Sequence, residues 1–117
     1  MKEFSRRTVP AGHVIFHEGD VADRAYLLRS GFVEISVQKG SDRTVLTIIR
    51  PNQIFGELAL IDATPRSATA VAIEASELII VTPDDMERHL DDLDDFMKYW
   101  VQYLVDRIRD LSKRVSE

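Results

Sequence analysis

A chain of 117 residues with 44% hydrophobic content is long enough to bury one core and matches the common size of a single domain. Its formal charge of −5 argues against a general nucleic-acid surface, which presents a net basic face, and the lack of any cysteine excludes a disulfide framework, a thiolate metal site and a cysteine nucleophile. No apolar run approaches the roughly 18 residues of a membrane helix, and Met1 to Arg7 lacks the apolar core of a signal peptide. A cytoplasmic protein, or a soluble piece of a larger one, is the expectation.

In chain order, residues up to Val81 read as β and the remainder as helix. Val14-Ile15-Phe16, Ala25 to Leu28, Phe32 to Val37 and Thr44 to Ile49 are short runs rich in β-branched and aromatic residues. Turn-formers separate them: Pro10-Ala11-Gly12, Gly19-Asp20, Ser30-Gly31, Lys39 to Asp42 and Arg50-Pro51-Asn52. Two further strands are expected at Ser67 to Ile73 and Glu77 to Val81. Many short strands at regular spacing predict a sandwich or a jelly-roll barrel.

Between these strands lies the segment richest in chemistry, Phe55 to Ala70. Gly56 leaves the backbone open at the start of the turn Glu57-Leu58-Ala59-Leu60-Ile61, so that amides at that end can face an anion. Arg66 adds a planar, permanently charged guanidinium that can donate two parallel hydrogen bonds to phosphate oxygens. A carboxylate beside a phosphate is repelled by it, so Glu57 makes sense as an acceptor for the hydroxyls of a sugar. Phosphate with ribose means a nucleotide. The bland alternative is a surface ion pair between Glu57 and Arg66 flanking an ordinary turn, contributing little.

This run of glycine, glutamate, Pro65-Arg66 and the small hydroxyl residue Ser67 resembles the phosphate-binding cassette of the cyclic nucleotide-binding domain family. That family includes protein kinase A regulatory subunits, cyclic nucleotide-gated channels and catabolite activator effector domains. The order Gly19-Asp20, Tyr26, Gly31 also suits it, so the resemblance spans nearly the whole chain. It implies one domain over residues 1–117, mainly β with C-terminal helices. A jelly-roll barrel over about 7–81, with the cassette helix inserted, would be followed by a helical part over about 83–115. It also implies a cyclic nucleotide as ligand and no other cofactor. Glu57 would bind the ribose 2′-hydroxyl and Arg66 the cyclic phosphate, with the backbone of Gly56, Leu58 and Ala59 completing the anion site.

Thr82 is a good N-cap and Pro83 suits a first helical position, so a helix is predicted from Thr82-Pro83 to about Asp91. The seven acidic residues between Thr82 and Asp95 lack the alternating pattern of a calcium loop and read as a solvated face. A longer helix is predicted from about Asp94 to Val115. Leu93, Met97, Trp100, Leu104, Ile108, Leu111 and Val115 recur at steps of four, three, four, four, three and four, a coiled-coil rhythm that Tyr99 and Tyr103 widen. Part of this stripe is expected to face the barrel and part a second copy in a homodimer.

In the family the long helix also closes over the base. By resemblance Ser112 becomes a base contact, with Leu111 where activators carry a second hydroxyl. Ile35, Leu46 and Thr47 would line the base pocket from the barrel, although Ile35 and Leu46 are equally accounted for as core. Ser67 is compatible with cyclic AMP and cyclic GMP, and cyclic AMP is favoured. A cupin-like metalloenzyme is the rival reading, since His13 and His17 sit four apart. That spacing and the helical position of His89 do not make the usual strand-borne ligand set, and no catalytic constellation appears elsewhere. The chain therefore reads as a sensor and not an enzyme. A stand-alone interaction protein on the same barrel is the other alternative. About six residues precede the first strand signal where family members carry a helix, so a fragment of a transcription factor, channel or other regulator is expected. A missing output domain could supply the contact with nucleic acid or membrane that this chain itself does not make.

Overall fold

The computed structural model describes residues 4–62 and 64–116, with side chains as far as Leu111. Eight strands form two four-stranded antiparallel sheets, the layers of a jelly roll. One sheet has the order β1 (Ser5–Val9), β8 (Ser76–Val81), β3 (Ala25–Ser30), β6 (Ile54–Phe55). The other has the order β2 (Val14–Phe16), β7 (Thr69–Ala72), β4 (Val33–Lys39), β5 (Asp42–Ile49).

Buried partners on the central strands mark where the two sheets face one another. Leu28 and Leu78 are register partners on β3 and β8, and both are fully buried. Val33 of β4 and Ala72 of β7 are partners on the opposing sheet and are equally buried. Val9, Tyr26, Phe55 and Ala70 complete the core, each large side chain contributing roughly 1.5–3 kcal/mol through its removal from water. Gly31 closes the β3–β4 hairpin at φ 93°, and a β-carbon there would lie 2.7 Å from the Ala75 carbonyl, so glycine is required on both counts.

Two strands escape the sequence pattern. β1 is a sheet edge whose residues Ser5 to Thr8 are exposed, leaving Val9 alone to point inward, and so it reads as polar chain. β6 has only two residues, too few to show a period. Its pairing of Ile54 and Phe55 with Leu27 and Tyr26 nevertheless fixes where the cassette leaves the sheet.

α1 (Pro83–Asp91) starts and ends where predicted. Its entry is a reciprocal capping box. The Asp85 amide donates to Thr82 Oγ1 at 3.2 Å, and the Thr82 amide donates to Asp85 Oδ2 at 3.0 Å. That second bond, helped by Arg88, holds the Asp85 carboxyl below its ordinary pKa. α2 (Asp95–Ser116) begins beneath Asp94, whose carboxylate accepts from the Met97 amide at 2.9 Å. Its half-buried apolar residues are Met97, from the predicted rhythm, and Val101 and Val105, outside it, while Trp100, Leu104, Ile108 and Leu111 of that rhythm are exposed beside Phe96, Tyr99 and Tyr103. Among the described residues no helix is long and apolar enough to cross a membrane.

Candidate functional site

Gly56 ends β6 with φ 68°, a left-handed conformation that a side chain would strain, and opens a single 3-10 turn over Glu57–Leu60. The turn closes through the Ala59 amide on the Gly56 carbonyl at 3.3 Å and the Ile61 amide on the Leu58 carbonyl at 3.1 Å. Ala59 is buried and anchors the turn, whereas Glu57 and Leu58 are exposed on its outer side.

Arg66 sits opposite, held by its own backbone and by its side chain. Its amide donates to the Asp20 carbonyl at 2.9 Å and its carbonyl accepts from the Gly19 amide at 2.8 Å, which locks it to the turn after β2. That turn is itself braced, because the Glu18 amide donates to Thr69 Oγ1 at 2.9 Å. Arg66 as a whole residue is only 7% exposed. Nη1 donates to the Gly56 carbonyl at 3.1 Å and Nη2 to the Arg24 carbonyl at 2.6 Å. The guanidinium carbon lies 4.1 Å from the centre of the Phe16 ring and 5.9 Å from that of Tyr26. Phe55 stacks on Tyr26 at 5.2 Å, so the cation rests on an aromatic floor.

A buried cation needs a counter-charge, and here none is in contact. Among the described residues Arg66 makes no ion pair, and its Nε is buried with no hydrogen-bond partner. Burial pulls the guanidinium below the ordinary arginine pKa, while Asp23 and Asp20 favour its charge only from a distance. Asp23 is engaged elsewhere: its carboxylate, held below the usual range by that bond, accepts from Arg24 Nε at 3.0 Å. Desolvated charge with a spare donor is an arrangement that attracts an anion.

One open cavity of about 280 Å³ collects this machinery. Gly56, Glu57, Leu58, Ala59, Arg66 and Ser67 line it, as do Ile35 and Thr47, which are register partners on β4 and β5. Eight of the ten sequence-predicted residues thus converge. Leu46 does not join them: it is the extra residue of a bulge opposite Ile35 and Ser36, and is 57% exposed. The Ser112 side chain lies outside the described residues. Phe16, Ala22, Ile49 and Ile54 also line the cavity and were not singled out from the sequence. The spacing of Phe16 and Tyr26 gave no hint that both would lie under Arg66, because they come from different sheets. His13 contacts Arg7 and His17 pairs with Asp20, and among the described residues no group of three metal-ligating side chains comes together.

The family profile described as Cyclic nucleotide-binding domain matches residues 6–92, taking in every strand but the first residue of β1, the cassette and α1. The chain belongs to the cyclic nucleotide-binding domain family. This cyclic nucleotide-binding domain is 39% identical over 83 residues to the Cyclic AMP receptor protein of Thermus thermophilus, an alignment covering 70% of this chain and 38% of that receptor. It is 37% identical over 89 residues to the cAMP-dependent protein kinase regulatory subunit of Aspergillus niger, 76% of this chain and 21% of that subunit. The chain therefore spans well under half the length of these curated relatives. Among solved structures, the half-site-occupied form of the EAL enzyme Bd1971 superposes with a TM-score of 0.90 at 33% identity, covering 93% of this chain and 98% of that one. The receptor and the kinase subunit are regulatory proteins, whereas Bd1971 is an EAL enzyme, and in its longer, cyclic AMP-bound form this chain matches about 30% of that protein's chain.

Proposed function

We propose that this chain binds a cyclic nucleotide, cyclic AMP in preference to cyclic GMP, as the sensor part of a regulator. The observation that carries the reading is the buried Arg66, which has an unspent Nε donor and no ion-pair partner among the described residues. A cyclic phosphate supplies the missing charge there, with the backbone of Gly56, Leu58 and Ala59 beside it. The Glu57 carboxylate, exposed on the same cavity, accepts the ribose 2′-hydroxyl, and Ser67 lies next to the phosphate. Ile35 and Thr47 meet the base from the barrel, Leu46 approaches it only if β5 shifts toward the ligand, and Ser112 of α2 is the helix-borne base contact in this reading.

The preference for cyclic AMP leans on the relatives that are cyclic AMP receptors, and it is modest, since Bd1971 is known in cyclic AMP-bound and cyclic GMP-bound forms. The route outward is supported by one contact. Arg109 Nε of α2 donates to the Ile61 carbonyl at the cassette exit, 2.5 Å away, so a cassette that tightens on phosphate pulls on the long helix. Residues 1–117 act as one domain in this reading, and the exposed face of α2 pairs with a second copy. Binding yields a conformational change only through a difference in affinity between two states.

Titration calorimetry with cyclic AMP and cyclic GMP tests the proposal. Saturable binding, tighter for cyclic AMP and lost in Arg66→Ala, is the expected result. No saturable heat at millimolar nucleotide would refute it, and unchanged affinity in Arg66→Ala would refute the site.

A further inference from the structure

A second cavity lies behind the cassette, between the barrel and the two helices, with a volume of about 490 Å³. Tyr26 from β3, Leu60 and Ile61 from the cassette, Met86 and Leu90 from α1, and Val105 from α2 give it an apolar wall. Its size and lining are those of a small-molecule site, in which a few polar groups fix orientation within an apolar surface. Those groups here are Glu57, Glu87, Gln102 and Arg109. Arg109 donates through Nε to the Ile61 carbonyl and pairs through Nη1 with Asp106 at 3.8 Å, and Gln102 Nε2 donates to the same Asp106 carboxylate. The arginine's charge is thus offset, and the groups left to meet a guest are mainly acceptors, two of them anionic. This wall repels phosphates and carboxylates and suits an uncharged apolar molecule with an N–H or O–H donor.

Glu57 also lines the nucleotide cavity, and the short cassette separates the two spaces. We infer that the chain carries a second site, behind the cassette, for an uncharged, largely apolar small molecule bearing one hydrogen-bond donor, and that its occupancy is coupled to nucleotide binding through the shared cassette. A guest packed against Leu60 and Ile61 holds the cassette exit and the Arg109 contact in one position. The coupling rests on the nucleotide reading above; the second site itself does not.

The dye N-phenyl-1-naphthylamine is uncharged, carries one N–H and brightens in apolar surroundings. Titrated into the full chain without nucleotide, it should saturate at one molecule per chain. Leu90→Trp and Val105→Trp, which fill the cavity from different helices, should abolish saturation, and Thr44→Lys, exposed on β5 and away from the cavity, should leave it unchanged. Saturating cyclic AMP should shift the dye affinity by roughly fivefold or more, and the dye should shift the cyclic AMP affinity by the same factor, as linkage requires. Absence of saturable dye binding, equal binding in a folded cavity-filled variant, or loss in Thr44→Lys would overturn the site. A dye affinity indifferent to cyclic AMP in protein that calorimetry shows to bind the nucleotide would overturn the coupling.

Discussion

A β-carbon placed on Gly56 would lie 2.7 Å from Nη1 of Arg66, and the same Nη1 donates to the Gly56 carbonyl. The turn that begins the cassette and the cation that faces it are therefore fitted to each other. Gly56→Ala strains a backbone held at φ 68° and pushes against a guanidinium pinned at two carbonyls. Urea unfolding should register a loss of about 1 kcal/mol from the backbone alone. Cyclic AMP affinity should fall by about tenfold or more, beyond what the stability loss accounts for. Wild-type affinity in this variant would show that Arg66 has room to spare.

Replacing Arg66 by methionine separates binding from stability. The methionine fills similar space over Phe16 without a desolvated charge, although the Gly56 and Arg24 carbonyls lose their donors. The free variant should melt close to the wild type. Nucleotide at one hundred times its wild-type Kd stabilises the wild type by about 2.7 kcal/mol, on the order of 10 °C in a chain of this size. That ligand-induced shift should vanish in Arg66→Met, as differential scanning fluorimetry can read.

The capping box of α1 gives a pH signature. Because hydrogen bonding lowers the folded pKa of Asp85 from 3.8, its stabilisation is present above the unfolded value and is lost as pH falls through the folded one. Wild-type stability should decline through this acid window, and Asp85→Asn should flatten that part of the curve. Thr82→Ala should lower stability at neutral pH by about 1 kcal/mol. A melting profile identical in all three proteins from pH 3 to 7 would remove the cap from the account.

Trp100 and Leu104 are 50% and 41% exposed on α2, too open to be held by this chain's own core. If that face joins two copies, Trp100→Glu with Leu104→Glu should convert a dimer to a monomer in sedimentation velocity while leaving the strand signal of the barrel intact. A wild type that sediments as a monomer at all accessible concentrations would rule the pairing out.

The cassette was legible because its chemistry is local: Gly56, Glu57, Arg66 and Ser67 fall within one short stretch, and chain order alone brings them to one rim. The helix starts were legible for the same reason, through Thr82 and Pro83. What escaped depends on partners distant in sequence. β1 is a strand because β8 offers it an edge, and Phe16 and Tyr26 floor the site because two sheets fold over each other. The inward face of α2 escaped in part, since of its half-buried apolar residues only Met97 belongs to the predicted rhythm. Its rhythm shows which residues share a side, but Val101 and Val105 are chosen by where the helix leaves Asp94.

Leu46 has no opposite number on β4: Ile35 pairs with Thr47 and Ser36 with Val45. An unmatched residue at that point absorbs a change of length. Register from Thr47 to Ile49 is set by the strand beside it, so the hairpin tip from Lys39 to Val45 can grow or shrink in relatives without altering which side chains face the ligand. The cavity wall formed by Ile35 and Thr47 is thus insulated from drift at its own far end.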